Sequence, residues 1–397
     1  NKMKWRFRLG AVAGNTLEYY DIAVFAAISG YLSAEFERQG ISQADHIVWG
    51  IFALRFIARP LGGYLIGHYA DRVGRKAALI LTSSIAGVAT LCMALLPISV
   101  LGYYAPLVVL LLQLILSLSF GGELASLATY LFNDSASNER ARITSLIVAS
   151  SLVGVFASLF IVYVLEHRLT STNMQAYGWR IPLLLGIFNI AMSFWLRIKL
   201  PAQPAINCQQ RVNWAKIVQI ILIMIPSQTV FYAQNMSTSI IRESLHLGDF
   251  KNWYSMLSTL FLLIILMLTG WLIDKLSTSL KASFIGIYSL ILFSPCLYFL
   301  LTSDNITLVI LTQFFITVTA AIILCSQLSI AAIVTDGHTA NLGVGLNVSA
   351  SLFGGVTPLI INAVLPFGLA YAGVYLSLSA LITLLSYYLF IQTKALN

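Results

Sequence analysis

Twelve runs of 18 or more mostly apolar residues divide this chain of 397, and they decide its solvent. A run of that length crosses the hydrocarbon core of a bilayer as a helix. The runs fall at 9–32, 47–70, 77–97, 104–132, 142–165, 180–200, 214–240, 250–274, 281–301, 306–333, 341–365 and 368–391. Short connections take most of what remains, so no sizeable soluble domain is expected. Only 10% of the residues are charged, against about 25% in a soluble domain. The expected fold class is an all-α membrane protein with twelve transmembrane helices.

The net charge of +8 reads as topology. Of the 23 Lys and Arg, 16 fall on one side of this layout, Arg8, Arg140, Arg197 and Lys281 among them. Five fall on the other side, and Arg55 and Arg59 lie within a span. The positive-inside rule then puts both termini in the cytoplasm. No nucleic-acid partner is implied. The four cysteines are scattered without a CxxC, and the five histidines sit in or beside loops. No metal, haem or other cofactor is expected. No G-x-x-x-x-G-K-[ST] loop occurs, which removes that route to nucleotide hydrolysis. The basic start runs into a span too long for a cleavable signal core.

The longest connection on the basic side, 201–213 (PAQPAINCQQRVN), splits the spans six and six. It predicts an amino-terminal bundle over 1–200, a short linker, and a carboxy-terminal bundle over 214–397. A short repeat agrees: Gly67-x-x-x-Asp71-Arg72 follows the second span and Gly270-x-x-x-Asp274-Lys275 follows the eighth. Repeated halves around a midplane site are a transporter design.

The segment Gly67-His-Tyr-Ala-Asp71-Arg72-Val-Gly74-Arg75-Lys76 resembles the loop signature of the major facilitator superfamily, with Tyr69 where Leu is usual. Four more segments resemble its metabolite:proton symporter branch, which includes proline/betaine, α-ketoglutarate, citrate and shikimate carriers. They are Gly14-Asn15-Thr-Leu-Glu18-Tyr19-Tyr20-Asp21, Arg59-Pro60-Leu-Gly62-Gly63, Gly121-Gly122-Glu123 and Phe353-Gly354-Gly355-Val-Thr357-Pro358. The order holds from about residue 10 to 365. The chain departs from the pattern at Asn133, where Glu is common, and at Arg55, where a small residue is usual. The resemblance implies a major facilitator fold of two pseudo-symmetric six-helix halves. It also implies that Asp71 meets the start of the eleventh helix near Asn341 and locks the outward-facing state.

Ionisable groups inside spans are expensive and point to function. Here they are Glu18, Asp21, Arg55, Arg59 and Glu123. At about 1.5 Å per residue, all five fall roughly 13–22 Å from the basic side. Glu18 and Asp21 share one helix face, as do Arg55 and Arg59. Three carboxylates against two guanidiniums leave one acid free to take up a proton. Asp21, nearest in depth to Arg59, is the first choice as proton carrier, then Glu123, with Glu18 the third candidate. The alternative is that Asp21–Arg59 and Glu123–Arg55 are fixed packing pairs. Arg55 and Arg59 are bidentate partners for an anionic substrate group. The second half offers uncharged partners on its spans: Tyr232, Gln234, Gln327 and Asn347. Gly67, Asp71, Arg72, Gly74, Arg75 and Arg140 form the expected gate, with Asp71 paired to Arg75 or Arg140.

These readings converge on a secondary transporter, not an enzyme. It would take up a small polar metabolite, a carboxylate or a zwitterion, with protons, by alternating access. The expected place is a bacterial inner membrane; the partners are substrate, protons and lipid, and a monomer is expected. The rivals are an importer or exporter of a larger cargo such as a siderophore, and a membrane receptor without transport.

Overall fold

The computed structural model describes residues 5–133, 135–203, 212–235 and 237–390. Most of the 201–213 linker lies outside the described residues. In a bilayer the backbone must satisfy its own hydrogen bonds, which favours helices, and among the described residues there is no strand. A short helix, Trp5–Val12, leads into α1 (Asn15–Arg38). Then follow α2 (Ala44–Val73), α3 (Arg75–Ala94), α4 (Ala105–Asn133), α5 (Arg140–Arg168) and α6 (Ile181–Ile198). The second set is α7 (Trp214–Asn235), α8 (Tyr254–Leu276), α9 (Ser279–Leu300), α10 (Ile306–Val334), α11 (Thr339–Ser349) and α12 (Ala370–Phe390). Past α11 the chain passes through a π-helical stretch, Ala350–Gly354, into a further helix, Thr357–Val364. These continue the eleventh crossing.

Ten of the crossings are long and apolar enough to span a membrane by composition alone. The two that are not, α1 and α2, carry Glu18, Asp21, Arg55 and Arg59. Their charges survive burial because each is paired inside the protein. Outward faces carry Ile57, Phe188 and Leu292 exposed to the lipid. One residue, Gly74, joins α2 to α3 at φ 134° and ψ 150°. Only glycine tolerates that region, so the turn in the signature is a steric requirement.

The two halves meet through matched contacts on the face where α2 ends and α11 begins. Asp71, at the end of α2, accepts the backbone N–H of Thr339 (2.9 Å) and Ala340 (3.1 Å), the first turn of α11. Asp274, at the end of α8, accepts the N–H of Ala141 (3.0 Å) and Arg142 (2.7 Å), the first turn of α5. An acid at a helix N-terminus satisfies orphan donors and the helix dipole together. The second helix of one half caps the fifth of the other, in both directions, so the sequence repeat is a structural one. Gly67 and Gly63 allow the approach. A Cβ on Gly67 would lie 2.6 Å from Ala340 Cα, and one on Gly63 would lie 2.7 Å from the Gly343 carbonyl oxygen. Among the described residues, the hydrogen bonds joining the halves all lie between mid-helix and this face. The structure is closed on that side.

Candidate functional site

At mid-depth α1 and α2 bring four charges together. Arg55 donates to Asp21 at 2.7 Å, and Arg59 donates to Glu18. All four side chains are buried. The pairing corrects the match of Asp21 to Arg59 by depth, and with it the alternative of fixed Asp21–Arg59 and Glu123–Arg55 pairs. Depths differing by a turn or less are within the reach of an arginine side chain, so helix rotation, not depth, chooses the partner. The charge count is corrected as well. Glu123 is held by Arg197, which the sequence placed with the basic loops. Three buried acids in the spans therefore face three arginines, and no carboxylate is left over by arithmetic.

Arg197 lies in the last turn of α6, and side chains on a helix lean toward its N-terminus, here inward along the bilayer normal. Its guanidinium also donates to the Ser83 hydroxyl (2.7 Å) and to the carbonyls of Leu79 (3.1 Å) and Ala11 (3.1 Å). Thr82 donates to the other end of Glu123 at 2.5 Å. Gly14 makes room, since any Cβ there would overlap the guanidinium carbon. Every partner belongs to the first half. This pair ties α3, α4 and α6 to the chain just before α1 and lies away from the contact between halves.

Glu18–Arg59 sits on that contact. Arg59 Nε donates to Asn347 Oδ1 on α11 at 3.3 Å, while Asn347 Nδ2 donates to the Gly121 carbonyl on α4 at 2.6 Å. The hydroxyls of Tyr19 and Tyr232 lie within electrostatic reach of Arg59. The Tyr232 ring stands against Gly354, the last residue of the π-helical stretch that follows α11, a local form that often marks functional positions. Phe25 and Phe56 lie 5.9 Å and 6.0 Å from the guanidiniums of Arg55 and Arg59. The cluster retains open valences: Glu18 Oε2, Arg55 Nη1 and Arg59 Nη1 are buried without a hydrogen-bond partner.

The expected substrate residues thus divide. Arg55, Arg59, Tyr232 and Asn347 come together. Gln327 instead accepts from Ser227 N (3.1 Å) and Oγ (2.6 Å), and Gln234 donates to the Tyr298 hydroxyl (3.1 Å), both within the second half. Tyr19 and the two phenylalanines were missed by the sequence reading. A polar aromatic next to a mid-span acid was the available signal for Tyr19.

In the gate, Asp71 caps α11 as described. Arg75 donates to the Gly337 carbonyl at 3.0 Å and to Gln203 at 3.3 Å. Arg72 is exposed. Among the described residues Arg140 makes no ion pair, so the expected Asp71–Arg140 pair is corrected; backbone N–H groups take that carboxylate instead.

Residues 12–358 match the Major Facilitator Superfamily. The chain belongs to that superfamily. It is similar, at 29% identity over 371 residues, to a Staphylococcus aureus (strain COL) protein named as a proline/betaine transporter, covering 87% of this chain and 79% of the relative. It is also similar to the alpha-ketoglutarate permease of Escherichia coli (strain K12), 32% identical over 194 residues, 48% of this chain and 45% of that one. The proton:xylose symporter XylE shares the fold, with a TM-score of 0.75 at 15% identity over 98% of this chain and 96% of that one. This major facilitator chain is therefore a multi-pass membrane transporter and not an enzyme. Its twelve crossings are those of the family.

Proposed function

We propose that this transporter is a proton-coupled symporter that imports a small zwitterion or carboxylate across a bacterial inner membrane. The observation that carries the reading is the buried Glu18–Arg59–Asn347 chain, which links a charge pair of one half to a neutral residue of the other. Two acids and two guanidiniums at one depth suit a substrate with both signs of charge. Its carboxylate would take a bidentate place on an arginine, and its cationic end would take the acid released. The aromatic rings of Phe25, Phe56 and Tyr19 suit an apolar or quaternary cationic body. The relatives carry names for proline, betaine and α-ketoglutarate transport, which keeps both classes in play.

Glu18 is the favoured proton carrier. Its free Oε2 offers a site for the proton, and neutralising it would release Arg59 to an anionic substrate group. Asp21, engaged with Arg55, is second. Glu123 is enclosed by its own donors away from the contact between halves, and its proposed role is to hold the first half together. With both termini in the cytoplasm, as the basic loops suggest, the closed face is cytoplasmic and the structure is outward-facing.

The test is substrate-driven proton entry. In liposomes with a trapped pH dye and no imposed gradient, glycine betaine, proline or α-ketoglutarate is expected to acidify the interior when added outside. One compound should dominate. Accumulation of a compound without acidification would remove proton coupling and leave a uniporter.

A further inference from the structure

A second charged site lies on the closed face, away from the central cluster. A cleft of about 210 Å³ opens between the start of α5, the start of α9 and the end of α10. Arg140 and Lys281 line it, and neither makes an ion pair among the described residues. Among the described residues no carboxylate lines it. Nearby acids are engaged elsewhere: Asp274 by Arg142 and the first turn of α5, and Glu139 by Arg8 at 2.9 Å. The floor is the first turn of α9, a helix of 22 residues whose leading N–H groups have no intrahelical partner. Thr278 caps Lys281 N at 3.4 Å, leaving the earlier donors. Beside them Ser279, only 9% exposed, has a buried hydroxyl with no hydrogen-bond partner. Ile330 and Ile333 form an apolar wall.

Two cations with no ion pair among the described residues, a helix N-terminus and an orphan hydroxyl converge on one small volume. Such a set is complementary to a phosphate group. We propose that this cleft binds a phosphate ester, the headgroup of an anionic phospholipid from the adjacent leaflet, with its glycerol end against Ile330 and Ile333. Arg140 comes from the first half, whereas α9 and α10 belong to the second. A bound phosphate therefore joins the halves on the closed face and favours the closed state. Lipid composition would then bias the conformational equilibrium without touching the central site.

The experiment uses the full chain in mixed micelles containing phosphatidylglycerol and phosphatidylcholine, with co-purified lipid measured by mass spectrometry. Wild type is expected to retain phosphatidylglycerol about tenfold over phosphatidylcholine, the size expected from two basic side chains near an anionic headgroup. Lys281→Gln, an exposed change that leaves the fold alone, should reduce that preference severalfold, and Arg140→Gln/Lys281→Gln should abolish it. Lys199→Gln, a charge removed elsewhere on the same face, should leave it unchanged. Ser279→Val should weaken it without altering net charge. A parallel titration with inorganic phosphate, read by thermal midpoint, separates the sources. Stabilisation by phosphate that disappears in the double variant would make free phosphate an occupant of the same site. Equal retention of both lipids by wild type, or an unchanged preference in the double variant, would overturn the proposal.

Discussion

Arg197→Met is expected to destabilise the first half by about 3–5 kcal/mol, because it leaves Glu123 charged, buried and unpaired. For a bundle of this size that corresponds to a fall in thermal midpoint on the order of 10 °C. The Ser83 hydroxyl and the carbonyls of Leu79 and Ala11 lose their donor in the same change. Removing both charges, in Glu123→Gln/Arg197→Met, should recover more than half of the loss, since an apolar replacement of a whole buried pair is often neutral. The double variant should still move protons with substrate in liposomes. A stable double variant that transports without acidification would return Glu123 to the coupling machinery.

Gly67→Val is expected to keep the closed face from closing. The new side chain would start with its Cβ 2.6 Å from Ala340 Cα, whereas apolar contacts settle at about 3.5–4.0 Å. The backbone of α11 cannot yield locally, so α2 and α11 must part, and Asp71 loses its grip on Thr339 and Ala340 one turn along. A hydrogen bond to a charged group contributes about 1.5–3 kcal/mol. Loss of even one shifts the closed–open balance roughly 10–100-fold. Spin labels at Val73 and Trp214, both exposed near this face, should move to longer separations, and transport should fall at least about tenfold. Each half should still unfold at its wild-type midpoint, because the clash lies only between them. Unchanged separations would mean that this contact does not control closure.

The fold was legible because bilayer physics leaves few choices. Apolar length marked the crossings, and the matched Gly-x-x-x-Asp signals marked the repeat. Their common job, an acid from α2 or α8 capping α11 or α5, needs the partner helix and was visible only for Asp71. Arg55, Arg59 and Asn347 could be picked out because a mid-span charge, or an amide on a crossing helix, has few reasons to be there. The pairing could not be read. It depends on how α1 and α2 rotate about their axes, which sequence depth does not report. Arg197 was hidden for a related reason: its Cα sits at the edge of a span, but its side chain leans inward toward Glu123. Gln234 and Gln327 look like binding residues in a one-dimensional reading, yet the Gln234 amide donates to Tyr298 and the Gln327 carbonyl accepts from Ser227, both inside the second half.

The most direct test compares two assays on Glu18→Gln in liposomes, using the compound that gives the largest wild-type acidification. Glutamine keeps the shape of Glu18 and a hydrogen-bonding oxygen for Arg59 but cannot take or release a proton. Substrate counterflow should persist within a few-fold of wild type, whereas substrate-driven acidification should fall to the level of empty liposomes. Acidification that survives in Glu18→Gln, with counterflow intact, would contradict the assignment of the coupling proton to the Glu18–Arg59–Asn347 chain.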